Sequence, residues 1–271
     1  MAEGMVELHV DGPIAHLLLK QPKRRNALHW DMWVELGQHA NSLAQNTNVR
    51  VVVVSGAEGH FSAGMDLSME NPAVQRLAPA LIHKDKEAAR SLVKELKSFI
   101  QALADLPIPT IAAIEGACVG GGMEVALGCD ILIAAENAQF ALNEVRAGMV
   151  PDLGGTARVT RRCGTGHACD LILTARRIGA QEAQSWGLVQ RVCTPGSALT
   201  TAFGVAQEII ANAPVAVGQA LQTIRAIPDM TEDAAMDADT EAGVIALTSG
   251  ETAVGIQAFL AKKAPDWTQV S

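Results

Sequence analysis

The chain has 271 residues, of which 49% are hydrophobic and 18% are charged, and its formal net charge is −8. This length suits one large domain with a sizeable core and argues against several independent domains. An acidic chain with 3% aromatic residues and no tyrosine lacks both the basic field and the stacking surfaces with which proteins bind nucleic acid. The apolar content is high for a soluble protein, so we expect part of the surface to be buried between subunits.

The start of the chain has no basic segment followed by an apolar one, as a secretory signal would, and no run of about 18 apolar residues occurs later. The cysteines are odd in number and form no close CxxC pair, which favours reduced thiols: Cys118, Cys129, Cys163, Cys169 and Cys193. We therefore expect a cytoplasmic protein that neither is exported nor spans a membrane.

The first third of the chain alternates strand and helix signals. Two β-rich segments, Val6–Val10 and Ile14–Leu19, flank the turn signal Asp11-Gly12-Pro13 and predict a hairpin. A basic loop follows, then apolar residues at helical spacing predict a helix over Asp31–Leu43. The β-branched run Val49–Val54 predicts a strand buried on both faces.

The same alternation continues to about residue 195, which predicts an α/β core. The expected elements are helix Lys86–Leu103, strand Thr110–Ile114, a helix over Gly121–Leu127, strand Asp130–Ala135 and a short strand Gln139–Leu142. The segment Ser68–Lys84, which precedes these elements, has no pattern that can be converted into a pocket volume.

From Gly196 the pattern becomes helical only, with Pro214 and Pro228 marking breaks between helices. A tail of this size has too little apolar surface to fold alone. We therefore expect residues 1–195 to form the core that carries the functional site, and residues 196–271 to form a helical region that packs on the core or on a neighbouring subunit.

Two glycine clusters follow predicted strands. In Gly59–Leu67 (GHFSAGMDL), Gly64 permits a sharp turn that can point the next amide into a cleft, although an ordinary loop would look similar. In Gly116–Glu124 (GACVGGGME), three consecutive glycines precede a helix, where free N–H groups and the positive end of the helix dipole favour an oxyanion or a phosphate. Neither the Gly-Lys-Ser/Thr of a nucleotide-binding loop nor the GxGxxG order of a dinucleotide-binding site is present. We therefore expect these N–H groups to bind an acyl oxygen.

Three acids lie in or after the second cluster. Glu124 falls in the first turn of the predicted helix, where an acid commonly only complements the helix dipole. Glu144 could be an exposed loop acid, and Asp152, which precedes a predicted helix, could be an N-cap. None of the three is decisive alone.

Together, the glycine clusters and acids resemble the crotonase family, also called the enoyl-CoA hydratase/isomerase family. The resemblance covers almost the whole chain and is carried by these segments: Lys23–Leu28, Phe61–Leu67, Ile111–Thr156, Leu173–Thr174, Ala183–Val189 and Gly255–Lys263. It implies a spiral of strand-strand-helix turns, with a helical C-terminal region that builds trimers, often paired into hexamers.

The resemblance also implies a site. The family's oxyanion hole falls on the backbone N–H groups of Met65 and Gly121, and its two catalytic glutamates fall on Glu124 and Glu144. Hydratases of the family usually have Ala where this chain has Met65, which affects the shape of the acyl pocket but not a backbone donor. The substrate would be an acyl-CoA thioester, and neither a metal nor a redox cofactor would be required, coenzyme A being part of the substrate.

The remaining candidate residues concern the CoA moiety. The positive charge that a CoA phosphate needs in an acidic protein could come from Lys23, Arg24 and Arg25, with Lys262 or Lys263 from the tail, although these could equally be plain surface charges. The predicted CoA-binding set also includes three residues of the first glycine cluster: Ala63, Asp66 and Leu67.

The reaction stays open between several members of the family. We expect a hydratase that adds water across the C2=C3 double bond of an enoyl-CoA, with an enoyl- or dienoyl-CoA isomerase as the alternative. A carboxylate stands at the position of Asp152 in dienoyl-CoA isomerases and ring-forming isomerases of the family, yet hydratases of the crotonobetainyl-CoA kind also combine it with both glutamates. Hydrolase, decarboxylase and non-catalytic acyl-CoA- or RNA-binding members are further alternatives.

Overall fold

The computed structural model describes residues 4–269 and has two β-sheets surrounded by helices. The strands are β1 (Met5–Asp11), β2 (Ile14–Lys20), β3 (Val51–Gly56), β4 (Thr110–Ile114), β5 (Ala117–Val119), β6 (Ile131–Ala135), β7 (Gln139–Ala141), β8 (Ile178–Gly179) and β9 (Arg191–Cys193). The helices are α1 (Trp30–Ala44), α2 (Pro72–His83), α3 (Lys86–Ala104), α4 (Gly121–Leu127), α5 (Gly155–Thr174), α6 (Ala180–Ser185), α7 (Ala198–Ile210), α8 (Pro214–Ala226), α9 (Glu232–Thr248) and α10 (Glu251–Leu260).

The larger sheet has six strands in the order β1-β2-β3-β4-β6-β9. The opening hairpin pairs β1 with β2 in an antiparallel arrangement, and every later pairing in this sheet is parallel. The smaller sheet has the order β5-β7-β8. Because β4 leads directly into β5, and β6 into β7, the chain passes repeatedly from the large sheet to the small one, as the predicted strand-strand-helix spiral requires.

The β-branched run in β3 is buried on both faces because the sheet separates two cores. Val52 and Val54 point into a large core that α1, α3 and the small sheet share. Val51 and Val53 point into a second, smaller core that α7 covers. This two-residue alternation explains why every valine of the strand is buried.

Most of the predicted elements are confirmed, with three differences. Strand β3 ends at Gly56, two residues beyond the predicted end. Helix α2 lies in Ser68–Lys84, for which no element was predicted; it begins after Asn71, whose side chain caps it, and contains an internal Pro79. Strand β5 was read as part of a glycine loop because three residues are too short for a period of two to be recognised.

The helical tail is only partly separate from the core. Its first helix, α7, packs on β3, β4 and β6, so packing is continuous across residues 195 and 196. Helix α8 is tied back by Arg225, whose Nε and Nη2 lie 2.8 and 2.7 Å from the carboxylate oxygens of Asp130. Helices α9 and α10 pack mainly on their neighbours in the tail.

No helix within residues 4–269 is by itself long and apolar enough to cross a bilayer; by length and composition only, α9 and α10 would pass as a pair, and they are bent by 70° at their junction.

Candidate active site

The first glycine cluster is held by buried polar side chains. Asn26, which is fully buried, donates from Nδ2 to the carbonyls of Ala57 and His60 at 2.8 and 2.7 Å. Ser62 donates from Oγ to the carbonyl of Asn26 at 2.7 Å and accepts the amide of Gly64 at 3.1 Å. These bonds fix the turn that precedes Met65. Asn26 and Ser62 belong to the motifs of the family resemblance, but this supporting role depends on contacts that the motifs do not reveal.

The second cluster packs directly against the first. A Cβ on Gly122 would lie 2.6 Å from the Cβ of Ser62, so only glycine permits this approach. Gly120 adopts φ 53°, caps α4 and donates its amide to the carbonyl of Ala141 at 2.8 Å. Helix α4 therefore starts beside the Met65 turn.

The two amides predicted for the oxyanion hole lie next to each other. A Cβ built on Gly121 would be 3.6 Å from the Met65 nitrogen, and one built on Gly64 would be 3.4 Å from the Gly121 nitrogen. Within residues 4–269, neither amide donates a hydrogen bond, because Gly121 is the first residue of α4 and the Met65 turn pairs through the residues on either side. Two adjacent free donors are the arrangement that stabilises negative charge on one oxygen.

Trp33 packs beside Gly121, a contact that could not be predicted from the sequence. Its indole is fully buried, and its Cζ2 lies 3.2 Å from the position that a Cβ of Gly121 would occupy. Its Nε1 has no hydrogen-bond partner within the described residues. A tryptophan in this place limits the space behind the oxyanion hole.

Glu124 is buried on the inner face of α4. It is 2% exposed, and its Oε1 accepts the amides of Leu153 and Gly155 at 2.9 and 2.8 Å. Burial raises the pKa of Glu124 to about 8, and the nearby Glu144 and Asp152 carboxyls raise it too, whereas the two amide bonds oppose the shift. The side chain is therefore protonated at neutral pH in the free protein, which an acid that merely complements a helix dipole would not be.

Glu144 approaches the same place from the other side. It begins a 3-10 turn, Glu144–Ala147, and its Oε1 lies 3.3 Å from where a Cβ of Gly120 would be. Both carboxylate oxygens are buried and have no partner within the described chain. Burial and the charge of Asp152 raise the pKa of Glu144. The exposed-loop alternative is therefore wrong, and a buried carboxyl without partners is available to water or substrate.

Asp152 does not cap a helix, so the N-cap interpretation is wrong. The N-cap of α5 is Gly154, and no side chain caps that end. Asp152 is exposed, yet desolvation by the surrounding protein raises its pKa, which Lys97 partly offsets. Its charge acts on both glutamates, so three carboxyls share one region.

The predicted CoA-binding residues near the first cluster differ in exposure. Lys23, Arg25, Ala63 and Leu67 are exposed. Asp66, by contrast, is 3% exposed. Its carboxylate oxygens accept Arg24 Nη1 at 2.8 and 3.0 Å, while its amide donates to Leu28 and its carbonyl accepts from Asn71.

The carboxylate, the amide and the carbonyl of Asp66 thus all have partners within the protein, and its predicted contact with CoA stays a prediction. The Arg24–Asp66 ion pair secures the loop, and the pKa of Asp66 is lowered by hydrogen bonds from Ser68 and Gln21 and by the Arg24 charge, against the opposing effect of burial.

Lys262 and Lys263 lie just after α10 and are exposed. Helix α10 packs on α9 and on the 3-10 turn Trp267–Gln269. Their predicted contact with CoA stays a prediction.

No cluster of three or more His, Cys, Asp or Glu side chains in residues 4–269 has the arrangement of a metal site. All five cysteines are unpaired, and Cys118 and Cys129 are buried.

Comparison with known proteins agrees with this geometry. A family model described as enoyl-CoA hydratase/isomerase matches residues 10–270. An enoyl-CoA hydratase of Mycobacterium tuberculosis is 35% identical over 92% of this chain and 91% of its own. A peroxisomal Delta(3,5)-Delta(2,4)-dienoyl-CoA isomerase of Arabidopsis thaliana is also 35% identical, over 79% of this chain and 77% of its own.

Among solved structures, an enoyl-CoA hydratase from Polaromonas sp. superposes with a TM-score of 0.87 at 30% identity, covering 97% of this chain and 99% of that one. Enzymes of this family act on acyl-CoA thioesters. Free paired amides, convergent glutamates, the two-sheet spiral and the matches over nearly the whole chain lead to one conclusion: the protein belongs to the enoyl-CoA hydratase/isomerase family and has the crotonase fold.

Proposed function

We propose that the protein is an enoyl-CoA hydratase that adds water across the C2=C3 double bond of an enoyl-CoA thioester. The observation that carries the proposal is the pair Glu124 and Glu144 beside two amides that donate to nothing in residues 4–269. Glu124 holds a proton at neutral pH, and Glu144 has two buried oxygens without partners in that part of the chain.

The chemistry follows from this pairing. The backbone N–H groups of Met65 and Gly121 would donate hydrogen bonds to the thioester oxygen. Negative charge that gathers on this oxygen would then be stabilised by about 3 kcal/mol per donor. The ionised member of the carboxyl pair takes a proton from water as its oxygen attacks C3. The protonated member delivers a proton to C2, which gives a 3-hydroxyacyl-CoA.

In this scheme the pair must carry one proton in total. Two carboxyls that interact titrate together, so the proton belongs to the pair during turnover even though it resides on Glu124 in the free protein.

A second candidate is an enoyl- or dienoyl-CoA isomerase that uses Glu144 and Asp152. It is supported by Asp152, whose carboxyl caps no helix, has a raised pKa and acts electrostatically on both glutamates. An isomerase moves a proton along the acyl chain and adds no water, so it needs two proton-transfer groups but no buried space for a nucleophilic water.

Absorbance of the conjugated thioester distinguishes the two candidates. Incubation with crotonyl-CoA should bleach the signal, because hydration removes the conjugation, and the product should have the mass of the substrate plus water. A static signal with crotonyl-CoA, together with rapid conversion of a 3,5-dienoyl-CoA into the 2,4-isomer, would overturn the hydratase and support the isomerase. No turnover of either substrate would favour a non-catalytic acyl-CoA-binding protein.

A further inference from the structure

The turn whose amides donate to Glu124 is itself bound by an arginine side chain. Arg158, in the first turns of α5, is half-buried and donates from Nη1 to the carbonyl of Leu153 at 3.2 Å. Its Nη2 donates to Oε1 of Gln101 on α3 at 3.0 Å. Gln101 is in turn held by Asp105, whose Oδ1 accepts its Nε2 at 2.7 Å.

The position of the bond to Leu153 is what matters for Glu124. The peptide unit that joins Leu153 to Gly154 lies between the two amides that donate to Glu124 Oε1, those of Leu153 and Gly155. Anchoring the carbonyl of this unit restricts its rotation, and with it the direction of both flanking N–H groups. A loose turn would let one or both amides swing away from the carboxyl.

The guanidinium reaches this carbonyl only because residue 154 is glycine. Gly154 has φ 115°, and a Cβ there would lie 2.3 Å from Arg158 Nη1. The guanidinium therefore lies beside Gly154 where a Cβ would be, and the charge of Glu124 affects it.

We propose that Arg158 is a positioning residue for catalysis: it clamps the Leu153–Gly155 turn so that two amides stay directed at Glu124 Oε1. The role of Arg158 in catalysis rests on the proposed function, whereas its effect on the Glu124 carboxyl does not.

The charges around the two groups determine how the clamp should be tested. Glu124 is influenced by the acids Glu144 and Asp152. Arg158 is influenced by Glu124, Arg162, Asp105 and Cys129, and the interaction between the charges of Glu124 and Arg158 is mutual. Removing the Arg158 charge takes away an attraction for the ionised form of Glu124, so the pKa of that carboxyl should rise further.

Three variants separate the effect of the Arg158 hydrogen bond to Leu153 from the effect of the Arg158 charge. Arg158→Met removes both, and kcat for crotonyl-CoA hydration should fall about tenfold to a hundredfold, since small misplacement of a catalytic group has effects of this size. In the pH profile of the Arg158→Met variant, the alkaline limb should also move to higher pH. Arg158→Lys keeps the charge but cannot span Leu153 and Gln101 together, so kcat should fall less and the limb should stay. Gln101→Ala loosens the support alone and should lower kcat several-fold with an unchanged limb.

Arg161→Met is the matched control. Arg161 lies on the same helix, but its Nη2 pairs with Asp229 at 2.9 Å near the surface, away from Glu124. This variant should retain the kcat and pH profile of the wild type.

A titration of the Glu124 carboxyl carbon by NMR in Arg158→Met and wild type gives a readout that does not depend on turnover. A higher midpoint in Arg158→Met is expected. A wild-type enzyme without hydratase activity would contradict the proposed function but leave this titration to test the clamp's electrostatics. Wild-type kcat, pH limb and carboxyl midpoint in folded Arg158→Met would overturn the proposal, as would equal loss in Arg161→Met.

Discussion

Each of the three acids has its own environment, and these environments determine what a substitution should do. Glu124 accepts two amides, the oxygens of Glu144 accept nothing within the described chain, and Asp152 lies exposed at their edge. Glutamine or asparagine at these positions keeps the size and a carbonyl acceptor but cannot exchange a proton.

For hydration of crotonyl-CoA, we expect Glu124→Gln and Glu144→Gln each to lower kcat by about a hundredfold or more, because each removes one proton-transfer group. Asp152→Asn should cause a moderate loss. Steady-state kinetics of the three purified variants checks this order, with circular dichroism to show that each is folded.

The opposite order would favour the isomerase. If Glu124→Gln kept full hydratase activity on an enoyl-CoA while Asp152→Asn abolished isomerisation of a dienoyl-CoA, the proposal that the protein is a hydratase would be wrong.

The raised pKa of Glu124 predicts the alkaline side of the pH profile. The pair must keep one proton, and the last proton leaves near the pKa of Glu124, at about 8. The value of kcat/KM for hydration, which reports the ionisable groups of the free enzyme, should therefore fall as the pH rises through this value. An alkaline limb that stayed flat to well above pH 9 would contradict a proton held on this side chain.

The same shift makes Glu124 a cost to folding at neutral pH. Its pKa rises from 4.5 to about 8 on folding, so its contribution is fully favourable below pH 4.5 and is lost as the pH rises through 8. At about 1.4 kcal/mol per pKa unit, the loss has an upper bound of about 5 kcal/mol.

Glu124→Gln should remove this loss, since its amide oxygen can still accept both N–H groups. Denaturant unfolding between pH 5 and pH 8 should therefore show a smaller decrease in the free energy of unfolding for this variant than for the wild type. An identical pH dependence of the two proteins would mean that Glu124 is ionised in the folded state.

At the scale of elements, the start of α4 is the most informative place for a substitution. Gly121 is the first residue of this helix, where proline is tolerated because the amide has no intrahelical acceptor. Gly121→Pro should therefore remove one oxyanion donor while the helix persists, with a loss of at least about a hundredfold in kcat.

Gly121→Ala is the control, because it keeps the N–H group. Its Cβ would press on Trp33 at 3.2 Å, so some loss is expected, but less than for proline. A folded Gly121→Pro protein with near wild-type turnover would rule out this loop as the oxyanion hole.

At the scale of the whole molecule, the tail presents an apolar surface that the single chain leaves uncovered. Exposed apolar side chains lie on α9 and α10: Met236, Val244, Ile245, Leu247, Ile256, Phe259 and Leu260. Phe259 is 82% exposed and Leu260 is 75% exposed, values that are unfavourable for large apolar side chains in water.

We predict that this surface is buried in a trimer or a dimer of trimers. Light scattering of the wild type should give that mass at micromolar concentration, and Phe259→Glu with Leu260→Glu should shift the distribution towards monomer. Substitution of Leu173, which is also exposed but lies on α5, serves as the control and should leave the mass unchanged. A stable wild-type monomer would contradict the prediction.

The sequence alone determined the order of the main elements and, through its resemblance to the family, the fold class and four positions of the candidate site: Met65, Gly121, Glu124 and Glu144. These could be predicted because periodicity, turn residues and the motifs of the family are local features of the chain. Only the tertiary structure decided that Glu124 is protonated at neutral pH and that Asp152 caps no helix. It also decided that Asp66 forms an ion pair with Arg24 and that Arg158 donates a hydrogen bond to the turn that binds Glu124. Each of these depends on burial and on contacts between residues about 30 or more positions apart, or on the detailed path of a turn, and neither spacing nor composition specifies them.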